Sequence, residues 1–315
     1  EKGITGLVVI SAGFKETDEA GAALEKELAA KVKAYGMRCV GPNCLGVVNT
    51  DPAVRMDGCF AESLPQRGDI GFVSQSGALG GGILNILKDL NIGFSQFISI
   101  GNQADVNAET AIEYWENVDD VRQILLYMES IQNPANFRNL AARVSKKKPI
   151  LALKSGRSAA GASAASSHTG SLAGSDRAAD ALLRQSGVIR EFSLEKLFAT
   201  AKVFANCPIP KGNRVAIITN SGGPGIMATD AICEHGMVMA PITDATKEEL
   251  RTFLPAAASV KNPVDMIASA PLEHYRRTTE TILKDPNVDM VIIIYLPFLG
   301  LKDIDVAKEL MRIRA

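Results

Sequence analysis

A short apolar run, IGFVS at 70–74, breaks into QSG at 75–77 and continues as a helical pattern over 78–90. The same succession returns at 215–235, with VAIIT at 215–219, NSGGPG at 220–225 and a helical pattern over 226–235. An apolar run of this length, bounded by a tight turn, reads as a strand buried on both faces. A strand with both faces buried needs helices to cover it, and the helix that follows each turn supplies one. Further strand-like runs fall at 93–99, 121–127 and 149–153, with helical stretches at 109–116 and 135–145. Three lysines at 146–148 close the last of these, placing cations at the negative end of the helix dipole. Alternation of this kind predicts an α/β fold with parallel sheets and helices on both faces.

The first sixty residues fit less easily. Residues 6–11 and 37–40 read as two short strands, and 16–35 carry helical periodicity (Ala20, Ala23, Leu24, Leu28, Val32), with Gly36 placed to end the helix. One helix and two strands cannot cover both faces of a sheet, so this stretch reads as the back half of a doubly wound domain whose front half is absent. Residues 51–67 read as an irregular connector, and NCPIPKGN at 206–213 as the clearest linker. The unit after that linker has few strands before Ala315 and reads as cut short as well.

Charge and cysteine usage narrow the function classes. The formal net charge of −1 gives no footprint for nucleic acid or membrane. Five cysteines (Cys39, Cys44, Cys59, Cys207, Cys233) lack CxxC spacing, which argues against zinc and a disulfide scaffold and suits a reducing cytoplasm. No run reaches the length of a membrane-spanning helix, and no signal peptide opens the chain.

The chemistry points to KSGRSAAGASAASSHTGSLAGSD at 154–176. After an apolar strand the chain dissolves into Gly, Ala and Ser, which read as a mobile loop, and helical pattern resumes at 175–176. In it stands His168, one of three histidines, where core building asks for no imidazole. Imidazole titrates near neutrality and its free nitrogen is a competent nucleophile. Glu129 ends the apolar strand at 124–128, on the edge where α/β sheets place ligands, and a carboxylate there can hold one imidazole nitrogen and leave the other free. Asn102 and Asp105 share that edge with weaker claims. Lys154 and Arg157 read as phosphate contacts or as solvated loop charges, and Asp265 in the NPVD turn as an acid of no clear purpose. The two glycine turns open helices, where unpaired N–H groups and the dipole favour an anion, and their Ser and Asn side chains add donors. Neither is a P-loop or a GxGxxG fingerprint, and one such turn alone is what many α/β sheets need structurally.

These residues resemble a known family, the α subunit or α-type half of the nucleoside-diphosphate-forming acyl-CoA synthetases, relatives of succinyl-CoA synthetase. The motifs are GPNCLG (41–46), GFVSQSGALGGG (71–82), GNQADV (101–106), Glu129, SSHTGSLAGSD (166–176), TNSGGPG (219–225) and NPVD (262–265). The resemblance implies the C-terminal half of a CoA-binding Rossmann-like domain over 1–63. It implies a flavodoxin-like domain with a phosphohistidine loop over 64–206 and a second flavodoxin-like domain over 207–315. It implies that His168 is the phosphohistidine and Glu129 its orienting carboxylate. It further implies phosphate binding by Ser76, Gly77, Ser221, Gly222, Gly223 and Gly225, and CoA binding by Pro42, Asn43 and Cys44. No metal ligand is implied in the chain. Coenzyme A and phosphate are the implied ligands, with ATP or ADP and Mg2+ held by an ATP-grasp β subunit or fused domain in a hetero- or homo-oligomer. The two glycine turns are then expected to converge on one phosphoryl group. A second reading, from a different class, is a CoA- or acyl-CoA-sensing regulatory region of a protein lysine acetyltransferase.

Overall fold

The computed structural model describes residues 3–169, 175–297 and 300–313, and the side chains of residue 88 and of 165–169 lie outside that description. The chain separates into two compact units, Glu1–Cys207 and Pro208–Ala315.

The first unit opens with β1 (Gly6–Val8), α1 (Glu19–Ala34) and β2 (Arg38–Val40). The two strands pair in parallel as a sheet of their own. Helix α1 starts where the Asp18 carboxylate accepts from the N–H of Gly21, and it ends at Tyr35 just before Gly36, whose φ of 64° favours glycine. Then come β3 (Gly46–Asn49), β4 (Met56–Cys59), β5 (Gln66–Ser74), α2 (Gly77–Leu90), β6 (Gly93–Ser99), α3 (Ala108–Trp115), β7 (Gln123–Met128) and α4 (Pro134–Val144). Strand β8 (Ile150–Lys154), α5 (Ala159–Thr169), α6 (Asp176–Gln185), β9 (Ile189–Glu191) and α7 (Leu194–Asn206) complete the unit.

Seven strands form one sheet in the order β4-β3-β6-β5-β7-β8-β9. The five from β6 to β9 are parallel, while β3 runs antiparallel to β6 and to β4. Numbered from β5, the parallel strands lie in the flavodoxin order 2-1-3-4-5. The alternation of a strand sorts its side chains between two cores. Phe72, Leu125 and Leu151 point to the side of Leu84, Leu87, Leu197 and Phe198 on α2 and α7. Val73, Ile124, Leu126 and Ile150 point to the side of Ile112, Trp115, Phe137 and Leu183 on α3, α4 and α6. Gly71 leaves the space for Trp115, because a Cβ there would stand 2.8 Å from the indole ring.

Two sequence expectations change here. The connector expected over 51–67 contains β4 and the start of β5, and β3 and β4 pair within the sheet that holds β5–β9, across the expected boundary at 63/64. Their residues are largely exposed in β4, so they carry no apolar signal. The Gly/Ala/Ser stretch expected as a loop is helical over Ala159–Thr169. Alanine has the highest intrinsic helix propensity, and a run of small residues hides this by having no apolar stripe.

The second unit contains β10 (Arg214–Thr219), α8 (Gly222–Glu234), β11 (Val238–Met239), α9 (Asp244–Arg251), β12 (Val264–Asp265), α10 (Leu272–Leu283), β13 (Met290–Ile294) and α11 (Asp303–Leu310). Strand β10 lies at its centre, paired in parallel with β13 and with the short strands β11 and β12. Asp289 accepts from the Arg214 backbone N–H (3.0 Å), Nε (2.9 Å) and Nη2 (2.9 Å), which holds its carboxyl down to about 2. A depressed carboxyl pKa contributes stability that is present above the unfolded value and is lost as pH falls through the folded one. The stability difference between the parent and Asp289→Asn is therefore expected to shrink between about pH 4 and pH 2. Urea midpoints of the second unit's transition across that range check it.

Candidate active site

In a flavodoxin-ordered sheet the ligand crevice lies where the chain reverses direction across the sheet, between the carboxyl ends of β5 and β7. Strand β5 ends there in a turn tightened by Ser74, whose Oγ donates to the Ser76 carbonyl at 2.6 Å. Helix α2 begins at once with Gly77. The N–H groups of Gly77 and Ala78 take no hydrogen-bond partner among the described residues, and Ser76 Oγ accepts from the N–H of Leu79 at 3.3 Å. This donor set fits an oxyanion: two open N–H groups, a hydroxyl and the positive end of a helix dipole.

Glu129 stands one residue past β7 and is buried, with 8% of its surface exposed. Gln75 fastens the turn that carries it. Its Oε1 accepts from the N–H of Glu129 (2.7 Å) and of Ser130 (3.1 Å), and its Nε2 donates to Ser130 Oγ at 3.0 Å. Next along the edge, Lys154 ends β8 almost fully buried and donates to the Ser155 carbonyl at 2.6 Å. Burial holds this ammonium below the usual lysine range, opposed by the nearby charges of Asp176 and Glu129. Ser130, Lys154 and Ser175 help line a cavity of about 220 Å3 beside this edge. Arg157 stacks over the Phe192 ring, 4.4 Å from its centroid. His168 lies in the last turn of α5, and its side chain is outside the described residues.

The loop at 41–45 packs directly on the start of α2. A Cβ on Gly77 would sit 3.3 Å from the Leu45 nitrogen and 3.6 Å from the Cys44 carbonyl carbon. Pro42, Asn43 and Cys44 therefore share one corner with Ser76 and Gly77. Cys44 is buried, its Sγ donating to the Val9 carbonyl at 3.4 Å, and burial pushes the thiol up to about 11, so it stays protonated at neutral pH. Asn102 ties the loop down. Its N–H donates to the Pro42 carbonyl (2.9 Å), its Oδ1 accepts from Asn43 Nδ2 (3.2 Å), its Nδ2 donates to Glu25 (2.8 Å) and to Glu16, and its carbonyl accepts from Lys15. Gly101 permits the approach with a φ of 50°, since a Cβ would stand 2.2 Å from the Pro42 oxygen. Gly101→Ala is expected to destabilise the first unit by at least about 2 kcal/mol, from left-handed strain plus the clash. Its urea midpoint checks this.

The second unit repeats the turn. Thr219 Oγ1 donates to the Ser221 carbonyl (2.8 Å), Gly222 opens α8, and the N–H groups of Gly222 and Gly223 find no partner among the described residues. Asn220 crosses to the end of β13, where its Nδ2 donates to the Leu296 carbonyl (2.8 Å) and its Oδ1 accepts from the Leu296 N–H (2.9 Å). A Cβ on Gly222 would meet Asp265 Oδ2 at 3.3 Å, so this carboxylate stands beside the helix start. Its Oδ1 accepts from the N–H of Ile267, whose φ of 64° is unusual for a β-branched residue. Neither Gln75 nor Asp265's place was read from the sequence, and Asn220, expected as a donor to the anion, instead bonds to Leu296. The signal for the amides was the echo itself, since SQSG at 74–77 and TNSG at 219–222 each carry an amide after the strand.

Residues 67–204 match the succinyl-CoA ligase like flavodoxin domain, and residues 215–311 the Ligase-CoA domain. The alpha subunit of the ADP-forming acetate–CoA ligase II of Pyrococcus furiosus is 46% identical over 314 residues, which span 99% of this chain and 68% of that one. The chain belongs to the ADP-forming acetate–CoA ligase family. Within the family, ligase I of Archaeoglobus fulgidus is 43% identical over 296 residues, but this chain spans only 43% of its length. The dinucleotide-forming acetyl-coenzyme A synthetase 1 of Ca. Korarchaeum cryptofilum, solved in complex with phosphate and ADP, superposes with a TM-score of 0.92 at 35% identity. That alignment covers 98% of this chain and 66% of the other. This ligase-family chain thus spans about two thirds of some relatives and less than half of others. Among its described residues no group of three or more His, Cys, Asp or Glu is placed to hold a metal, and no helix is long and apolar enough to cross a membrane.

Proposed function

We propose that the chain is the α-type part of a nucleoside-diphosphate-forming acyl-CoA synthetase, interconverting acyl-CoA, ADP and phosphate with a carboxylate, CoA and ATP. Phosphate attacks the thioester carbonyl, and CoA leaves as the thiol to give an acyl phosphate. A ring nitrogen of His168 then attacks phosphorus, the P–O bond to the acyl group breaks, and the carboxylate departs. The phosphoryl group passes from His168 to ADP on an ATP-grasp subunit or domain, where Mg2+ and nucleotide are held. Little covalent work falls to the protein, so catalysis rests on positioning and charge neutralisation.

The observation that carries this reading is the crowding of Gly77, Glu129 and the 42–45 loop around the crevice of the first unit. Ser76 and the open N–H groups at Gly77 and Ala78 suit the phosphoryl oxygens. Glu129 holds the His168 imidazole and stabilises its positive charge. Pro42, Asn43 and Cys44 suit the thioester end of CoA, Cys44 as a protonated packing thiol. Ser221, Gly222, Gly223 and Gly225 form a second helix start whose open N–H groups also suit phosphoryl oxygens. The phosphate and ADP held by the Korarchaeum relative are two of this reaction's substrates. The acetyltransferase-associated sensor is not favoured, because the relatives named above are ligases and His168 would be idle in a sensor. The reaction is placed in the cytoplasm, where CoA and nucleotides are available.

The test uses the complete enzyme with its ATP-grasp part and radiolabelled ATP. A label that is acid-labile and base-stable is expected on the first unit, discharged by CoA with a carboxylic acid. Absence of such a label overturns the reading.

A further inference from the structure

The sheet of the first unit stops supporting β7 just before Glu129. Pairing with β5 ends at Ser74↔Tyr127 and with β8 at Met128↔Lys154. Residues 129 and 130 therefore leave the ladder with their N–H groups unclaimed by any strand, at the point where the carboxylate must be aimed. Gln75 supplies the acceptor that the sheet does not. We infer that Gln75 is a positioning residue for phosphoryl transfer, fixing the Glu129 carboxylate against the first turn of α2. The inference rests on the roles given above to His168 and Glu129.

Several observations set Gln75 apart from ordinary turn packing. It is buried, with 7% of its surface exposed, and among the described residues its hydrogen bonds run to residues 127–130 alone. Its N–H donates to the Tyr127 carbonyl at 3.0 Å, so both its main chain and its side chain grip the end of β7. Gln75 directly precedes Ser76 and Gly77, so one side chain ties the turn that carries the oxyanion donors to the main chain of Glu129. Asn220 makes the matching bridge in the second unit, from the residue before Ser221 and Gly222 to the end of β13. There the bridged residue is Leu296, with no carboxylate. The strap thus recurs with the helix-start turn, and only in the first unit does it carry an acid.

The complete enzyme with its ATP-grasp part is the test object, and the rate of His168 labelling from radiolabelled ATP is the readout. Gln75→Met keeps the length but has no oxygen to accept, and is expected to slow labelling at least about tenfold. The decisive variant combines Gln75→Met with Glu129→Ala. A residue acting through Glu129 adds nothing once that side chain's polar head is gone, so the double variant is expected within about twofold of Glu129→Ala alone. Gln96→Met provides the contrast: it removes a buried amide bonded to Trp115 in the same sheet, and is expected to lower the melting temperature without slowing labelling. If Gln75→Met does not fold, Gln75→Asn, one methylene too short to reach, takes its place in the cycle. Additive slowing in the double variant overturns the inference, as does parent-like labelling by a folded Gln75→Met. Either result leaves the ligase reading intact, whereas an unlabelled parent enzyme removes both.

Discussion

Labelling by radiolabelled ATP is expected to vanish when His168 is replaced by alanine in the complete enzyme. In the proposed reaction acyl phosphate and ADP react at separate places, and a phosphoryl group released to water between them is lost to hydrolysis. A covalent carrier removes that loss, and only a nucleophile can serve. His235 ends α8 in the second unit and His274 lies on α10 beside Phe253, which leaves His168 as the histidine of the first unit. Deleting the nucleophile of a covalent mechanism costs on the order of 10^4-fold or more, well below detection in a labelling gel. The fold is expected to persist, because α5 is built of alanines and serines and gains helix propensity from the change. The check is the label together with an unaltered melting curve. A label surviving on another residue overturns the assignment of His168.

Much of the architecture was legible because its signals are local. Buried strands such as β5 and β7 announce themselves as apolar runs, and their turns as glycine and serine, so the carboxyl edge with Ser76, Gly77 and Glu129 could be placed from residues alone. What could not be placed depends on partners distant in the chain. Strand β3 is buried because β6 lies beside it, and β4 is a strand only because β3 is. The contact of Gly77 with the Cys44–Leu45 peptide is invisible in either motif taken alone. Helix α5 was missed for the opposite reason, since a stretch without an apolar face looks like a loop when periodicity is the guide. Gln75 and Asn220 lay in plain view, but an amide declares no purpose until its acceptors are known.

The two helix starts are built alike and surrounded differently. At α2 the carboxylate on the adjoining strand is Glu129, one residue past β7. At α8 the Asp265 carboxylate stands against Gly222 itself. An oxyanion therefore meets a carboxylate at the second start that the first start does not place on its opening glycine, and the first start is the better resting site for a fully ionised phosphoryl group. This agrees with placing the imidazole and its orienting carboxylate in the first unit.

Glu129→Gln is expected to slow His168 phosphorylation roughly 30- to 1000-fold, from the loss of about 2–4 kcal/mol of transition-state stabilisation. The amide has the same size and keeps a carbonyl that can accept from an imidazole N–H, so orientation is largely retained. What disappears is the charge. As the second ring nitrogen bonds to phosphorus, positive charge develops on the imidazole, and a buried carboxylate stabilises it far more than a neutral amide does. The Gln75 strap binds main-chain N–H groups of 129 and 130 and is untouched by the substitution, so the turn itself is expected to stay in place. The loss should then appear in the phosphoryl-transfer rate, with the apparent affinities for ATP and CoA little altered, since neither ligand is assigned to Glu129. Rapid-quench labelling at saturating ATP, beside a melting curve, separates these quantities. A variant with parent-like labelling kinetics reduces Glu129 to the end of a strand, and with it falls the claim that this carboxylate stabilises the charged ring.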